Sequence, residues 1–200
     1  EVNLFLGGPD HRSPLIPVQE DPAVRTLRAV ANAKRTLRSG FTTVRNLGLF
    51  VQTNGVLLDV ALAKAIDLGW VDGPRVVPAG HAIAPTGGHL DPTMFQAFAP
   101  NVLPLTVEEG LANGVDEVRK AVRYQVKYGA RVIKVCASNG VMSHTGPAGA
   151  QQYSDDELAA IVDEAHRAGR KVAAHCMGDT ALTAALAAGI DCIEHGFLAS

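Results

Sequence analysis

The chain alternates between stretches with helical hydrophobic spacing and short, nearly continuous apolar runs. Apolar residues recur at helical spacing in residues 23–37, 55–69, 106–129, 154–169 and 180–189. Short apolar or β-branched runs occupy 41–48, 75–80, 131–137, 171–176 and 192–196, and residues 1–6 are a sixth candidate. Strands of a parallel sheet are covered on both faces and show such runs. The alternation therefore predicts βαβ units, in either a doubly wound sheet or a (β/α)₈ barrel.

Two of the helical stretches begin with the spacing of a capping box, in which Ser or Thr precedes Glu by three positions. Thr106 and Glu109 have this spacing, and so do Ser154 and Glu157. We therefore expect helices from both starting points, although two glycines weaken the first turns of the stretch 106–129. No strand is followed by G-x-G-x-x-G and no P-loop is present, which disfavours a nucleotide-binding version of the fold.

Composition excludes several classes of partner. The 200 residues are 47% hydrophobic and 19% charged, with a formal net charge of −2 and no basic stripe, so neither nucleic acid nor an anionic membrane is expected to bind. No apolar run approaches the roughly 18 residues of a transmembrane helix. The three cysteines lie in strand-like runs, and an odd count without regular spacing does not indicate a disulfide framework. We expect a reducing, cytoplasmic location.

Lys134 interrupts the apolar strand-like run at 131–137. Burial of an unpaired ammonium costs several kcal/mol, so this lysine is expected to be neutral, paired or chemically altered. One interpretation is an ion pair, for which Glu194 is a candidate partner; another is a general-base or Schiff-base lysine with a lowered pKa. A third is a carbamate formed with carbon dioxide, whose two oxygens can bridge two cations.

Two histidines also lie near the ends of predicted strands. His175 and His195 are 20 positions apart, about one βα repeat, so they are expected on neighbouring strands, with Lys134 on a third. In barrels and open α/β sheets, active sites form at the carboxyl ends of the strands. Each histidine alone is compatible with a hydrogen-bonded core residue. The pair together favours a metal site, because imidazole is the commonest metal-binding side chain.

Several ordered segments carry a resemblance to a known family. They are SGFTTVRNLG, GPRVVPAGHAIAPTGGHLDP, ARVIKVCASNGV, YSDDELAAIVDEAHRAGRKVAAH and GIDCIEHG. They resemble the amidohydrolase superfamily, specifically its imidazolonepropionase-like and Xaa-Pro dipeptidase-like branch. The resemblance implies a (β/α)₈ barrel, of which residues 1–200 supply roughly the first six βα units. Strands seven and eight and a small β-sandwich domain are expected outside this range.

The resemblance also implies roles for individual residues. Lys134 matches the strand-four lysine that is carboxylated in binuclear members, and His175 and His195 match the metal ligands of strands five and six. His89 matches a loop histidine that faces substrate, with solvation as the alternative. His144 is a second loop histidine that is expected to approach substrate or to be solvated.

The chain departs from the family pattern at several positions. The first-strand His-x-His pair is absent; either it lies upstream, or Glu1 and Asn3 occupy its place. The eighth-strand aspartate, a metal ligand and general base, would lie beyond Ser200. Asn46 stands where relatives usually have aspartate. Met177 stands where dipeptidase-like relatives often have tyrosine or histidine, which weakens the case for recognition of a peptide α-carboxylate.

The function implied is a zinc-dependent hydrolase that cleaves an amide bond of a dipeptide-like or cyclic amide with a metal-activated hydroxide. Its cofactors would be two divalent cations and carbon dioxide, taken up as the carbamate of Lys134. The substrate would be a small molecule, and the full-length form is expected to be a homo-oligomer. Two alternatives stay open: an inactive or partner-completed half barrel, and a single-metal, deaminase-type amidohydrolase.

Overall fold

The computed structural model describes residues 1–7, 20–49, 53–94, 105–143 and 145–200. Within these residues five α-helices alternate with five β-strands. In chain order they are α1 (Pro22–Arg38), β1 (Thr43–Asn46), α2 (Leu58–Asp67), β2 (Arg75–Pro78), α3 (Gly114–Lys127), β3 (Val132–Cys136), α4 (Asp155–Arg167), β4 (Lys171–Gly178), α5 (Asp179–Ala188) and β5 (Cys192–Leu198). A short 3₁₀ turn, Val107–Glu109, precedes α3.

The strands are parallel and follow one another in chain order. Strand β1 pairs with β2, and β3, β4 and β5 form a second sheet in that order. Two isolated parallel bridges extend the series, one from Val2 to Asn46 and one from Ile83 to Val135. The described residues therefore form an open arc of parallel strands. The α/β class predicted from the sequence is confirmed, whereas the barrel is not closed within the described part of the chain.

Local sequence explains where the helices begin. In α4, the Ser154 hydroxyl accepts from the Glu157 amide and the Glu157 carboxylate accepts from the Ser154 amide, so the predicted capping box is present. In α1, the Asp21 carboxylate accepts from the Ala23 amide, and a proline fills the first turn. Each cap satisfies amide groups that have no partner within the helix.

The predicted start of α3 is wrong. The Thr106 hydroxyl accepts from Glu108 rather than from Glu109, and the turn ends at Gly110, whose φ is 87°. The Glu109 carboxylate instead accepts the backbone amides of Thr53 and Asn54, at 2.9 and 3.1 Å. The left-handed Gly110 ends this turn, and α3 starts only at Gly114, which also has a positive φ of 76°.

The core lies between the strands and their covering helices. Strand β3 is buried at all five positions, and Ile133 and Val135 pack in one cluster with side chains of α3, α4 and α5. Lys134 belongs to the same buried strand, and its side chain lies on the opposite face of the sheet from that of Ile133. Among the described residues, no helix is long and apolar enough to cross a membrane.

Candidate active site

The carboxyl ends of β3, β4 and β5 bring three of the predicted residues together. The His175 and His195 rings are 4.6 Å apart between centroids. Lys134 Nζ lies 3.0 Å from Glu1 Oε2, and the same oxygen lies 3.4 Å from His195 Nε2. The parallel register explains this convergence, because it pairs neighbouring strands so that their ends meet at one edge. What each side chain does there stays a prediction.

Lys134 is fully buried, and its ion-pair partner is Glu1. The interpretation that paired it with Glu194 is wrong. Glu194 instead accepts from Arg45 Nη1 at 2.8 Å and from the Cys192 thiol at 2.9 Å. Glu194 lies opposite His175 in the strand register and so shares its face of the sheet, but its carboxylate is engaged by Arg45 and Cys192 instead of Lys134.

Glu1 and Asn3 lie at the first position of the strand arc. Val2 between them donates to the Arg45 carbonyl and accepts from the Leu47 amide, which is the pattern of a parallel strand beside β1. Residues two apart on a strand share a face, and both Glu1 and Asn3 line the same cavity as His175. A carboxylate and an amide therefore stand at the wall where the family resemblance implies two histidines.

His89 approaches the cluster from the loop after β2. Its ring lies 4.0 Å from the His175 ring, and its Nδ1 is 3.1 Å from Ser143 Oγ. The His89 amide donates to Gln152 Oε1 at 2.5 Å, and the Gln152 amide group donates to the Cys136 carbonyl. The loop is therefore fixed to the end of β3. Neither Ser143 nor Gln152 was identified from the sequence, because both lie in loops without periodicity.

Burial and nearby positive charge keep the imidazoles neutral. Burial, followed by the charges of His89, Lys134 and His195, lowers the pKa of His175 to about 2. Burial, followed by the charges of Lys134 and His195, lowers the pKa of His89 to about 4. A neutral imidazole offers one nitrogen lone pair as an acceptor or metal ligand.

A cavity of about 280 Å³ opens beside these side chains. His89, His175 and His195 reach it together with Glu1, and most of its remaining wall is apolar. His144, the other candidate for contact with substrate, lies outside the described residues. The cavity is close to the lower end of the size range of small-molecule sites.

A sequence comparison shows the origin of this arrangement. The profile of the amidohydrolase family matches residues 5–200. The chain belongs to this family. The (β/α)₈ barrel predicted from the resemblance is the fold of the family, and the open parallel arc is the part of it that residues 1–200 supply.

Known amidohydrolases of similar sequence and structure include an ochratoxinase from Aspergillus niger, which is 37% identical over 190 residues, or 87% of this chain and 37% of the relative. The crystal structure of A. niger ochratoxinase matches 98% of this chain and 45% of its own, with a TM-score of 0.82 and 33% identity. A Xaa-Pro dipeptidase with methionine bound in its active site matches 91% of this chain and 44% of its own, with a TM-score of 0.82 and 37% identity. A prolidase complexed with N-methylphosphonate-L-proline matches 100% and 47%, with a TM-score of 0.81 and 34% identity. The chain spans less than half of each.

Amidohydrolases generally use divalent metals, and the donor set of this site can be tested against that requirement. The described residues contain no group of three His, Cys, Asp or Glu side chains arranged to hold a metal ion. His175 Nε2, however, is buried and has no hydrogen-bond partner among the described residues. A buried lone pair without a partner is costly unless another atom meets it. The histidines therefore fit a cation if Lys134 supplies a further ligand.

Proposed function

We propose that the protein is a metal-dependent hydrolase that cleaves an amide bond in a dipeptide-like or cyclic small molecule. One observation carries the proposal: Lys134, His175 and His195 converge at the carboxyl ends of three neighbouring strands, and the buried Nε2 of His175 has no partner there. The ochratoxinase, dipeptidase and prolidase relatives support amide chemistry.

In this proposal His175 and His195 would hold one of two zinc ions, and Lys134 would join them as a carbamate. When bound, the cation lowers the pKa of a water molecule towards neutrality and polarises the scissile carbonyl. The Lys134 ammonium would first give one proton to Glu1 Oε2, which lies 3.0 Å from Nζ. The freed nitrogen lone pair would then bond to the carbon of carbon dioxide, one C=O electron pair would move onto oxygen, and a second nitrogen proton would leave to solvent.

His89 has the geometry of a hydrogen-bond donor to substrate. Ser143 Oγ already accepts from the Gly140 amide at 3.0 Å, so its own hydroxyl proton is free to point at His89 Nδ1. That bond places the imidazole proton on Nε2. His89 would then donate to the carbonyl oxygen as negative charge develops on it, which stabilises the transition state.

Metal content and lysine chemistry test the proposal in the full-length protein with whatever sequence flanks residues 1–200. Elemental analysis should find about two zinc ions per chain, and ¹³C-bicarbonate should give a carbamate NMR signal that Lys134→Gln removes. Lys127→Gln, on the last turn of α3 and away from the cavity, is the matched control and should retain both. Zinc below one equivalent, together with no amide hydrolysis after metal is added, would contradict the proposal.

A single-cation site is the second candidate, and Glu1 and Asn3 favour it, because they stand where the resemblance implies two histidine ligands. One zinc equivalent, with release of ammonia from aminated heterocycles in a substrate panel and no hydrolysis of amides, would support this deaminase-type chemistry. An inactive half barrel is the third outcome. It predicts that residues 1–200 alone are inert while the full-length protein is active, because a barrel needs every strand edge paired.

A further inference from the structure

All three methionines of the chain line the cavity beside the histidines. They are Met94, Met142 and Met177. Met94 and Met177 are buried at 3% and 4% exposure, whereas Met142 is 57% exposed at the mouth. Methionine is unbranched and polarisable, so it fills irregular apolar space and adapts to ligands of different shape.

The methionines adjoin the polar cluster in a defined way. Met177 follows His175 by two positions on β4, and Phe197 follows His195 by two on β5; both apolar side chains line the cavity together with the histidines. The Phe197 and His195 rings are 5.8 Å apart. The amide of Leu90, which follows His89 and also lines the cavity, lies 3.3 Å from Met94 Sδ. Apolar side chains therefore adjoin the three imidazoles in the cavity wall.

We propose that these methionines, with Leu90 and Phe197, form an adaptable apolar subsite for a bulky aromatic or branched aliphatic group next to the scissile amide. This inference rests on the proposed hydrolase function and specifies its substrate class. Substrates with a small or polar group at that position fill the cavity poorly and leave its thioether and aliphatic surface in contact with water. The preference is expressed mainly in KM, because the subsite holds a group that does not react.

Binding can be measured without catalysis. In the full-length protein labelled at methionine methyl groups with ¹³C, the signals of Met94, Met142 and Met177 are assigned by single Met→Leu variants. Addition of N-acetyl-L-leucine amide should shift all three signals. The near-isosteric N-acetyl-L-asparagine amide should bind at least about 10-fold more weakly, since it places a polar group against apolar surface. Equal affinity for the two compounds, or shifts in none of the three signals, would overturn the subsite.

Two variants connect the subsite to turnover. Phe197→Ala should raise KM for the leucine compound about 5- to 10-fold and leave KM for the asparagine compound unchanged, because the removed ring contacts only the larger apolar group. Trp70→Ala is the control, since Trp70 is as exposed as Phe197, at 74%, and lies outside the cavity. Met177→Gln repeats the test inside the cavity. An identical change in KM for both compounds would contradict the inference.

Selective binding in the NMR experiment without hydrolysis of either compound would instead contradict the proposed function and leave the subsite standing.

Discussion

Gly140 controls the position of His89, and a single added methyl group tests the role of that histidine. In Gly140→Ala the new Cβ would lie 2.5 Å from His89 Cε1 and 2.7 Å from Nδ1. Ordinary contacts begin at 3.4 Å, so the ring would have to move by about 1 Å. It has little room to do so, because His175 packs against it at 4.0 Å between centroids. A displacement of about 1 Å in a positioning group lowers rates about 100-fold, which is about 2.7 kcal/mol of transition-state free energy.

The assay is kcat/KM for amide hydrolysis in the full-length protein, with the fraction of folded protein measured by thermal denaturation. Gly73→Ala is a matched control, since its Cβ would lie 2.6 Å from Ile66 Cδ1, away from the cavity. The control should lose about 1–3 kcal/mol of stability while each folded molecule keeps its activity. If Gly140→Ala retained the wild-type kcat/KM, or if both variants lost it equally, His89 would have no positional role in the reaction.

Two further predictions concern stability. Burial raises the pKa of the fully buried Asp59 from 3.8 to about 6, so the folded state binds the proton more tightly. Its contribution is therefore largest below pH 4 and falls by about 3 kcal/mol as the pH rises through 6. Asp59→Asn should remove that part of the pH dependence of urea denaturation, and parallel pH profiles of the two proteins would refute it. Ser154→Ala should cost about 1 kcal/mol through the lost cap of α4, measurable as a lower denaturation midpoint; an unchanged midpoint would show that the cap is not limiting.

The sequence predicted the fold through features that are local. Buried parallel strands must be apolar, so the run around Lys134 identified β3, and Ser154 with Glu157 identified the start of α4. The predicted start of α3 was wrong because the Glu109 carboxylate accepts instead from two backbone amides of a loop, 55 and 56 positions away in sequence. The sequence around α3 contains no pattern that predicts a contact between Glu109 and that loop.

The candidate site likewise contains residues that the sequence predicted and contacts that it did not. Lys134, His175 and His195 were identified because each was predicted near the carboxyl end of a strand; in the structure each lies within its strand, and parallel pairing still brings the three strands side by side. The residues that contact these side chains were not identified from the sequence. Glu1 as the ion-pair partner of Lys134, and Ser143 as the partner of His89, depend on contacts between segments that approach each other only in the folded chain. The apolar walls of the cavity also gather from several loops, so hydrophobic periodicity does not report them.

The contact between Glu1 and Lys134 spans 133 positions, and that between Arg45 and Glu194 spans 149. A ribosome adds about 5–20 residues per second, so about 7 to 27 seconds separate the synthesis of Glu1 from that of Lys134. Until then the Glu1 carboxylate has no lysine partner, and the edge of the strands already synthesised is exposed to solvent. The cluster can therefore be completed only after residue 195 has been added, and a nascent chain that ends between residues 134 and 193 can form the contact between Glu1 and Lys134 but not that between Arg45 and Glu194.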